Sequence, residues 1–273
     1  MRNLRSVIVS CLAAVVAAAA TAQVPAAAPA PNAPPAAAVA PPPAPPGAPA
    51  VRAPEAAAGL QIKYVRDSAE YAALMEQTYR VAASAVERAR RALPTGSVWA
   101  VVLDVDETTL DNSTYELERA AYGVPYEPGS WHAWVERAQA PAVPGVAAFV
   151  RGVRALGGRV AYVTNRAESD RAATRRNLER EGLWQSGDLL CPKPIGSDPT
   201  KAGRRAEVRT GRGDCAWPGS PAAVLAYLGD QMVDFPAAGE EADLTGPEAF
   251  GVRCFLLPNP MYGDWTSRVT RPR

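Results

Sequence analysis

Asp104, Asp106, Glu107 and Asp111 crowd the end of one short segment, VVLDVDETTLDN at residues 101–112, directly after an apolar run. Two further polar clusters follow similar runs: Thr164-Asn165-Arg166 after RVAYV, and Asp230 with Asp234 in GDQMVDF after AVLAYL. Carboxylates repel one another when gathered, so they either point apart into water or share a cation. An all-oxygen donor set suits a hard ion such as Mg²⁺. Alone, a DxD or a GD is more often a turn or a helix cap. Three such clusters in order, each closing an apolar run, are much harder to produce by capping.

The elements that would carry these residues alternate regularly. Residues 98–103, 159–164, 189–191, 223–229 and 252–257 are continuous apolar runs of strand length, as expected of strands buried on both faces of a parallel sheet. Helical spacing of Tyr71, Leu74, Met75, Ala82 and Val86 predicts a helix over 67–93, capped by Asp67 or Ser68 and ended before Pro94. Another helix opens at Pro144 and stops at Gly157-Gly158, and a third runs from Ser169 or Asp170 to Gly182. Residues 107–141 show no clear period, are rich in aromatics, and read as an insertion above the sheet. This pattern predicts an α/β fold, a Rossmann-like doubly wound parallel sheet with a small, mainly helical cap, whose ligands sit at the carboxyl ends of the strands. Right-handed crossovers bring the three clusters to one rim.

Composition narrows the function. Formal net charge is +1 over 273 residues, which offers no electrostatic case for a nucleic-acid polymer or an anionic membrane surface. One histidine, His132, and no CxxC pair leave no conventional zinc site; His132 reads as an ordinary surface or cap residue. Residues 1–22 read as a signal peptide, with Arg2 and Arg5, an apolar stretch from Val7 to Ala20, and an Ala-Thr-Ala cleavage site. This predicts a periplasmic or secreted protein with no membrane span. The second choice is an outer-membrane lipoprotein, anchored by a lipid on Cys11. Residues 23–58 are almost wholly Ala and Pro and read as a disordered linker, leaving 59–273 as the folded domain.

DVDETTL resembles the nucleophile motif of the haloacid dehalogenase (HAD) superfamily, and VTNR, Lys201 and GDQMVDF resemble its other three motifs. The segments SWHAWVERAQAPAVPG, KAGRRAEV and FLLPNPMYGDW are similar to those of the class C acid phosphatases, the secreted bacterial 5′-nucleotidase group. The resemblance spans roughly residues 63–266. It implies an Mg²⁺-dependent acid phosphatase that hydrolyses phosphomonoesters, nucleoside 5′-monophosphates foremost, through an aspartyl-phosphate intermediate. Asp104 would be the nucleophile and Asp106 the acid and base. The Asp104 carboxylate, the Asp106 carbonyl and Asp230 would hold the metal, with Asp234 in support, while Thr164, Asn165 and Lys201 would hold the phosphoryl oxygens. Trp131 and Tyr262 sit where that group sandwiches a base, although core packing is the usual role of such rings. Arg166 is expected to brace its loop rather than clamp phosphate, and Lys193 to lie at the surface.

A lone histidine also leaves no pair for a phosphohistidine mechanism. Compared with the family pattern the chain carries extra residues, GRGDCAWPG, between Thr210 and Ser220. Cys191 and Cys215 could pair to pin that loop, leaving Cys254 buried in its strand; the RGD within it is a chance tripeptide. Alternatives to hydrolysis are phosphotransfer to an alcohol on the same fold, or a non-catalytic binding or storage protein. The intact Asp104, Asp106, Lys201 and Asp230 argue against the last. A homodimer is common among the proteins resembled, and no residue here speaks for or against it.

Overall fold

The computed structural model describes residues 58–197, 200–241, 244 and 247–267. The segment read as a signal peptide, Cys11 with the lipid anchor considered for it, and nearly all of the segment read as a linker lie outside the described residues. Helix α2 (Ala69–Arg91) is the helix expected over 67–93, and α1 (Leu60–Asp67), which was not expected, precedes it. The break is at Ser68, whose extended backbone ends α1 and whose hydroxyl accepts the Tyr71 N–H, capping α2. Then follow β1 (Trp99–Leu103), α3 (Ser113–Tyr122), α4 (Pro128–Arg137), α5 (Val146–Ala155) and β2 (Arg159–Ala167). The chain continues through α6 (Arg171–Arg180), β3 (Leu189–Lys193), α7 (Ala202–Thr210), β4 (Ala223–Gly229) and β5 (Cys254–Leu256). α3 and α4 form the insertion. β5 is shorter than its apolar run, and pairs with β4 alone.

All pairings are parallel, in the order β3-β2-β1-β4-β5. Every residue of β1 is buried, and their side chains alternate between two cores. Trp99, Val101 and Leu103 pack with Met75, Tyr79 and Phe149 on one face, while Ala100 and Val102 pack with Val208, Trp217 and Val224 on the other. Both faces are therefore covered, as the unbroken apolar run requires. Burying each of these side chains contributes about 2 kcal/mol, which offsets the cost of the charged groups at the strand's end.

The chain reverses direction across the sheet between β1 and β4, the place where a doubly wound sheet opens a crevice beyond its strand ends. Cys191 in β3 and Cys215 in the loop after α7 form a disulfide, and Cys254 is a buried free thiol. The same loop is held by the Cys215 N–H on Glu207 at 2.8 Å and the Trp217 indole on the Gly187 carbonyl at 2.6 Å. Replacing both Cys191 and Cys215 by alanine is expected to lower the unfolding free energy by about 3 kcal/mol, read from urea titration. A loss within error of zero would show that Glu207 and Trp217 hold the loop unaided.

Candidate active site

After β1 the backbone curls tightly. Thr109 and Leu110 N–H both donate to the Val105 carbonyl at 2.8 Å, and the Thr109 hydroxyl donates to the Asp104 carbonyl at 2.6 Å. Glu107 sits at φ 54°, a left-handed conformation that costs a non-glycine residue about 1 kcal/mol or more. Its buried carboxyl accepts the Asn112 N–H at 2.8 Å, which holds the curl in place. The result is that Asp104 and Asp106 both face one cavity.

That cavity, about 310 Å³, is lined at its base by Asp104, Asp106, Asn165, Lys201 and Asp234. Lys201, just ahead of α7, is 3% exposed, and its ammonium donates to both Asp104 and Asp234. Asp230, at the end of β4, accepts the Asn259 amide at 2.8 Å and the Thr108 hydroxyl at 3.4 Å. Oxygens of Asp104, Asp230 and Asp234 lie within 4.8 Å of one another. Gly229 makes this possible: a Cβ there would meet the Asp234 side chain at 2.2 Å. With no side chain at 229, Asp234 folds back toward the strand end, where its carboxylate accepts the Gln231 N–H at 2.9 Å.

Burial pushes the Asp104 carboxyl up to about 7 despite the opposing Lys201, with Asp234 and Asp106 adding to the rise. Asp230 is driven well above the usual range by burial, then by Asp234 and Asp104. Burial acts to lower the Lys201 pKa, but the two carboxylates outweigh it and raise the pKa. With all three ionised the carboxylates would exceed the one ammonium by two negative charges, an excess that the raised Asp104 and Asp230 pKa values express, and every donor is oxygen. That set fits a hard divalent cation.

The other residues singled out in the sequence are placed as follows. The Asp106 carboxylate stands outside the acidic trio and accepts from Arg166 and Asn112. Thr164 is fully buried behind the cavity wall, where its hydroxyl accepts the Arg166 N–H at 3.1 Å. Asn165 lines the cavity and its side-chain carbonyl accepts from Arg204 at 2.7 Å. Arg166 does brace its loop through that N–H, but its guanidinium reaches across to Asp106. Trp131 and Tyr262 both line the upper cavity. His132 is half-exposed on α4 and pairs with the buried Asp170.

Several contributors carried no sequence signal. Arg204 bonds the carbonyls of Thr164 and Cys191 as well as Asn165, tying α7 to the ends of β2 and β3. The side-chain carbonyl of Asn259 accepts the N–H groups of Met261 and Tyr262, linking Asp230 to the Tyr262 segment. Tyr115, Glu116, Arg119 and Tyr126 complete the upper wall. There Arg119 pairs with Glu116 at 2.6 Å and keeps its Nε buried without a partner.

Comparison with known proteins agrees with this fold. A family model described as HAD superfamily, subfamily IIIB (acid phosphatase) matches residues 48–265. The structure of the class C acid phosphatase from Bacillus anthracis is similar at a TM-score of 0.64 and 29% identity, over 76% of this chain and 85% of that one. A second structure of it, with tungstate bound, gives a TM-score of 0.65 at 27% identity over the same shares. Acid phosphatase 1 of Solanum lycopersicum is 31% identical over 166 residues, 60% of this chain. A stem 31 kDa glycoprotein of Glycine max is 25% identical over 162 residues. The chain spans 58% of the length of each of these two plant relatives. With a family match over most of its length, and a parallel α/β sheet bearing the motifs at its switch point, the chain belongs to subfamily IIIB of the HAD superfamily, the acid phosphatases.

Proposed function

We infer that this protein hydrolyses phosphomonoesters outside the cytoplasm, with Mg²⁺ as its cation and nucleoside 5′-monophosphates as its substrate class. The observation that carries the reading is Asp104: a buried carboxylate at the base of a cavity, beside the fixed positive charge of Lys201 and across from Asp106. Tungstate, bound by the Bacillus anthracis relative, is a tetrahedral oxyanion like phosphate.

A phosphate ester repels anionic nucleophiles, so the site must first compensate charge. Asp104, Asp230 and Asp234 would hold the divalent cation, which when bound neutralises phosphoryl charge and orients the ester. Lys201 and the Asn165 amide hold phosphoryl oxygens. An Asp104 oxygen bonds to phosphorus as the ester P–O bond breaks, and Asp106 gives its proton to the leaving alkoxide. In the second half Asp106, now a carboxylate, takes a proton from water as the water oxygen bonds to phosphorus. The Asp104–phosphorus bond breaks, and phosphate leaves with Asp106 reprotonated. Thr164, behind the wall, contributes by holding the Arg166 backbone.

The compartment follows from the leader-like N-terminus and from the Cys191–Cys215 disulfide, which persists in oxidising surroundings. Among the described residues no helix is long and apolar enough to cross a membrane. The nucleotide preference rests on the cavity wall contributed by Tyr126, Trp131 and Tyr262, whose rings are accessible enough to stack on a base.

The test is phosphate release from 5′-AMP and from glycerol phosphate at mildly acidic pH, with Mg²⁺ and with chelator. Release that requires the metal is expected. Trp131→Ala and Tyr262→Ala should each lower the ratio of kcat/KM for nucleotide over glycerol phosphate about tenfold, the worth of one base–aromatic stack. An unchanged ratio would remove the nucleotide assignment, and absence of release from either ester would remove the phosphatase reading.

A further inference from the structure

The two oxygens of Asp106 have unlike surroundings. Oδ1 accepts from Arg166 Nε at 2.9 Å, Arg166 Nη2 at 2.8 Å and Asn112 Nδ2 at 2.9 Å. Three N–H groups more than fill the two lone pairs of that oxygen. No donor among the described residues reaches Oδ2. Both donor groups are themselves fixed. The Arg166 side chain is 1% exposed, with Nη1 on the Thr174 hydroxyl at 3.2 Å and Nη2 also on Asn112 Oδ1 at 3.3 Å. Asn112 Oδ1 accepts the Trp134 indole N–H at 2.8 Å as well, so its amide is oriented with nitrogen toward Asp106. On its other side the guanidinium lies 5.5 Å from the centre of the Trp131 ring, a cation–π contact.

We propose that Arg166, assisted by Asn112, is the positioning residue for Asp106, fastening Oδ1 so that Oδ2 alone carries and moves the proton. The proposal rests on the acid–base role given to Asp106 above. A proton on Oδ1 would face three N–H hydrogens, so it resides on Oδ2. Exchanging the two oxygens by rotation would break three hydrogen bonds, two of them charge-assisted, so the proton-bearing atom stays aimed into the cavity. It passes from Oδ2 to the leaving oxygen as that P–O bond breaks, and Oδ2 later receives the proton of the attacking water. Arg166 thus acts through Asp106 and needs no contact with the phosphoryl group.

Help from a general acid matters in proportion to the basicity of the leaving group. An alkoxide needs the proton in order to depart, whereas 4-nitrophenolate leaves without it. The experiment therefore compares kcat/KM, which covers steps only through loss of the leaving group, for glycerol phosphate and 4-nitrophenyl phosphate in wild type, Arg166→Gln and Arg166→Lys, with Mg²⁺ present. Arg166→Gln is expected to lose about 100-fold in kcat/KM on glycerol phosphate and less than about fivefold on 4-nitrophenyl phosphate, with KM raised on neither. If Arg166→Gln does not fold, as judged by thermal melting, Arg166→Lys carries the test. It keeps the cation but not the fork, and should show the same asymmetry at about tenfold. Equal losses on both esters overturn the proposal: with unchanged KM the role is merely structural, and with raised KM Arg166 is a phosphate clamp. Wild type inactive on both esters overturns the phosphatase reading and this proposal with it.

Discussion

Asp104→Asn is expected to lower turnover of every phosphomonoester by about 10⁴-fold or more while making the metal-free protein more stable at pH 7. Activity falls because the amide is a poor nucleophile and cannot form the acyl phosphate. Stability rises because of the sign of the Asp104 shift. Its carboxyl is pushed up to about 7 in the folded protein, chiefly by burial, against an ordinary value of 3.8. Between those values the folded state binds more protons than the unfolded one, so stability falls as pH rises through that window. Asparagine removes this fall. Urea titrations in chelator at pH 5 and pH 7 should show a smaller loss with pH in the variant than in wild type. A variant less stable than wild type at pH 7 would mean that the Lys201 pair outweighs burial at Asp104. Phosphate release undiminished in the variant would end the aspartyl nucleophile.

Lys201→Met has the opposite character, since it removes the counter-charge and leaves the carboxylates. The ammonium is buried between Asp104 and Asp234, and breaking such a pair from one side costs about 3–5 kcal/mol. That loss is expected in chelator at pH 7. It should shrink at pH 5, where Asp104 can take up a proton at little cost. The Lys201 pKa is itself raised, so its contribution is fully present below the ordinary lysine value and constant across this comparison. Turnover should fall about 10²- to 10³-fold, as on removing one preorganised donor from a developing anion. Equal stability losses at pH 5 and pH 7 would show that Asp104 does not take up the missing charge.

The sheet was legible because β1, β2 and β4 are buried on both faces and so read as unbroken apolar runs. Their ends carried the chemistry, and the motif residues Asp104, Lys201, Asp230 and Asp234 do converge. α2 and its Ser68 cap were legible from helical spacing, whereas the eight residues of α1 are too few to show a clear period of their own. The insertion showed no period because α3 and α4 divide their faces among the core, each other and the cavity wall: Tyr115 is buried against Trp131 and Trp134 while also lining the cavity. Least legible were residues that act at a distance along the chain. Arg166 could be seen to brace its loop, but its reach to Asp106 depends on how β2 lies beside β1. Arg204 looks like any helical arginine until α7 is placed over the ends of β2 and β3.

The pairing of β1 with β4 bears on how the molecule comes into being. Thr108 and Asp230, which touch across that junction, are 122 residues apart in the chain, and Lys201 and Asp104 are 97 apart. No local folding step can bring such groups together, and pairings of this span are formed slowly because the intervening loop must first be closed. The mutually repelling carboxylates therefore stay separate and hydrated through the early stages of folding. They are gathered only when β4 docks, the same step that brings Val224, Leu225, Tyr227 and Leu228 into the two cores.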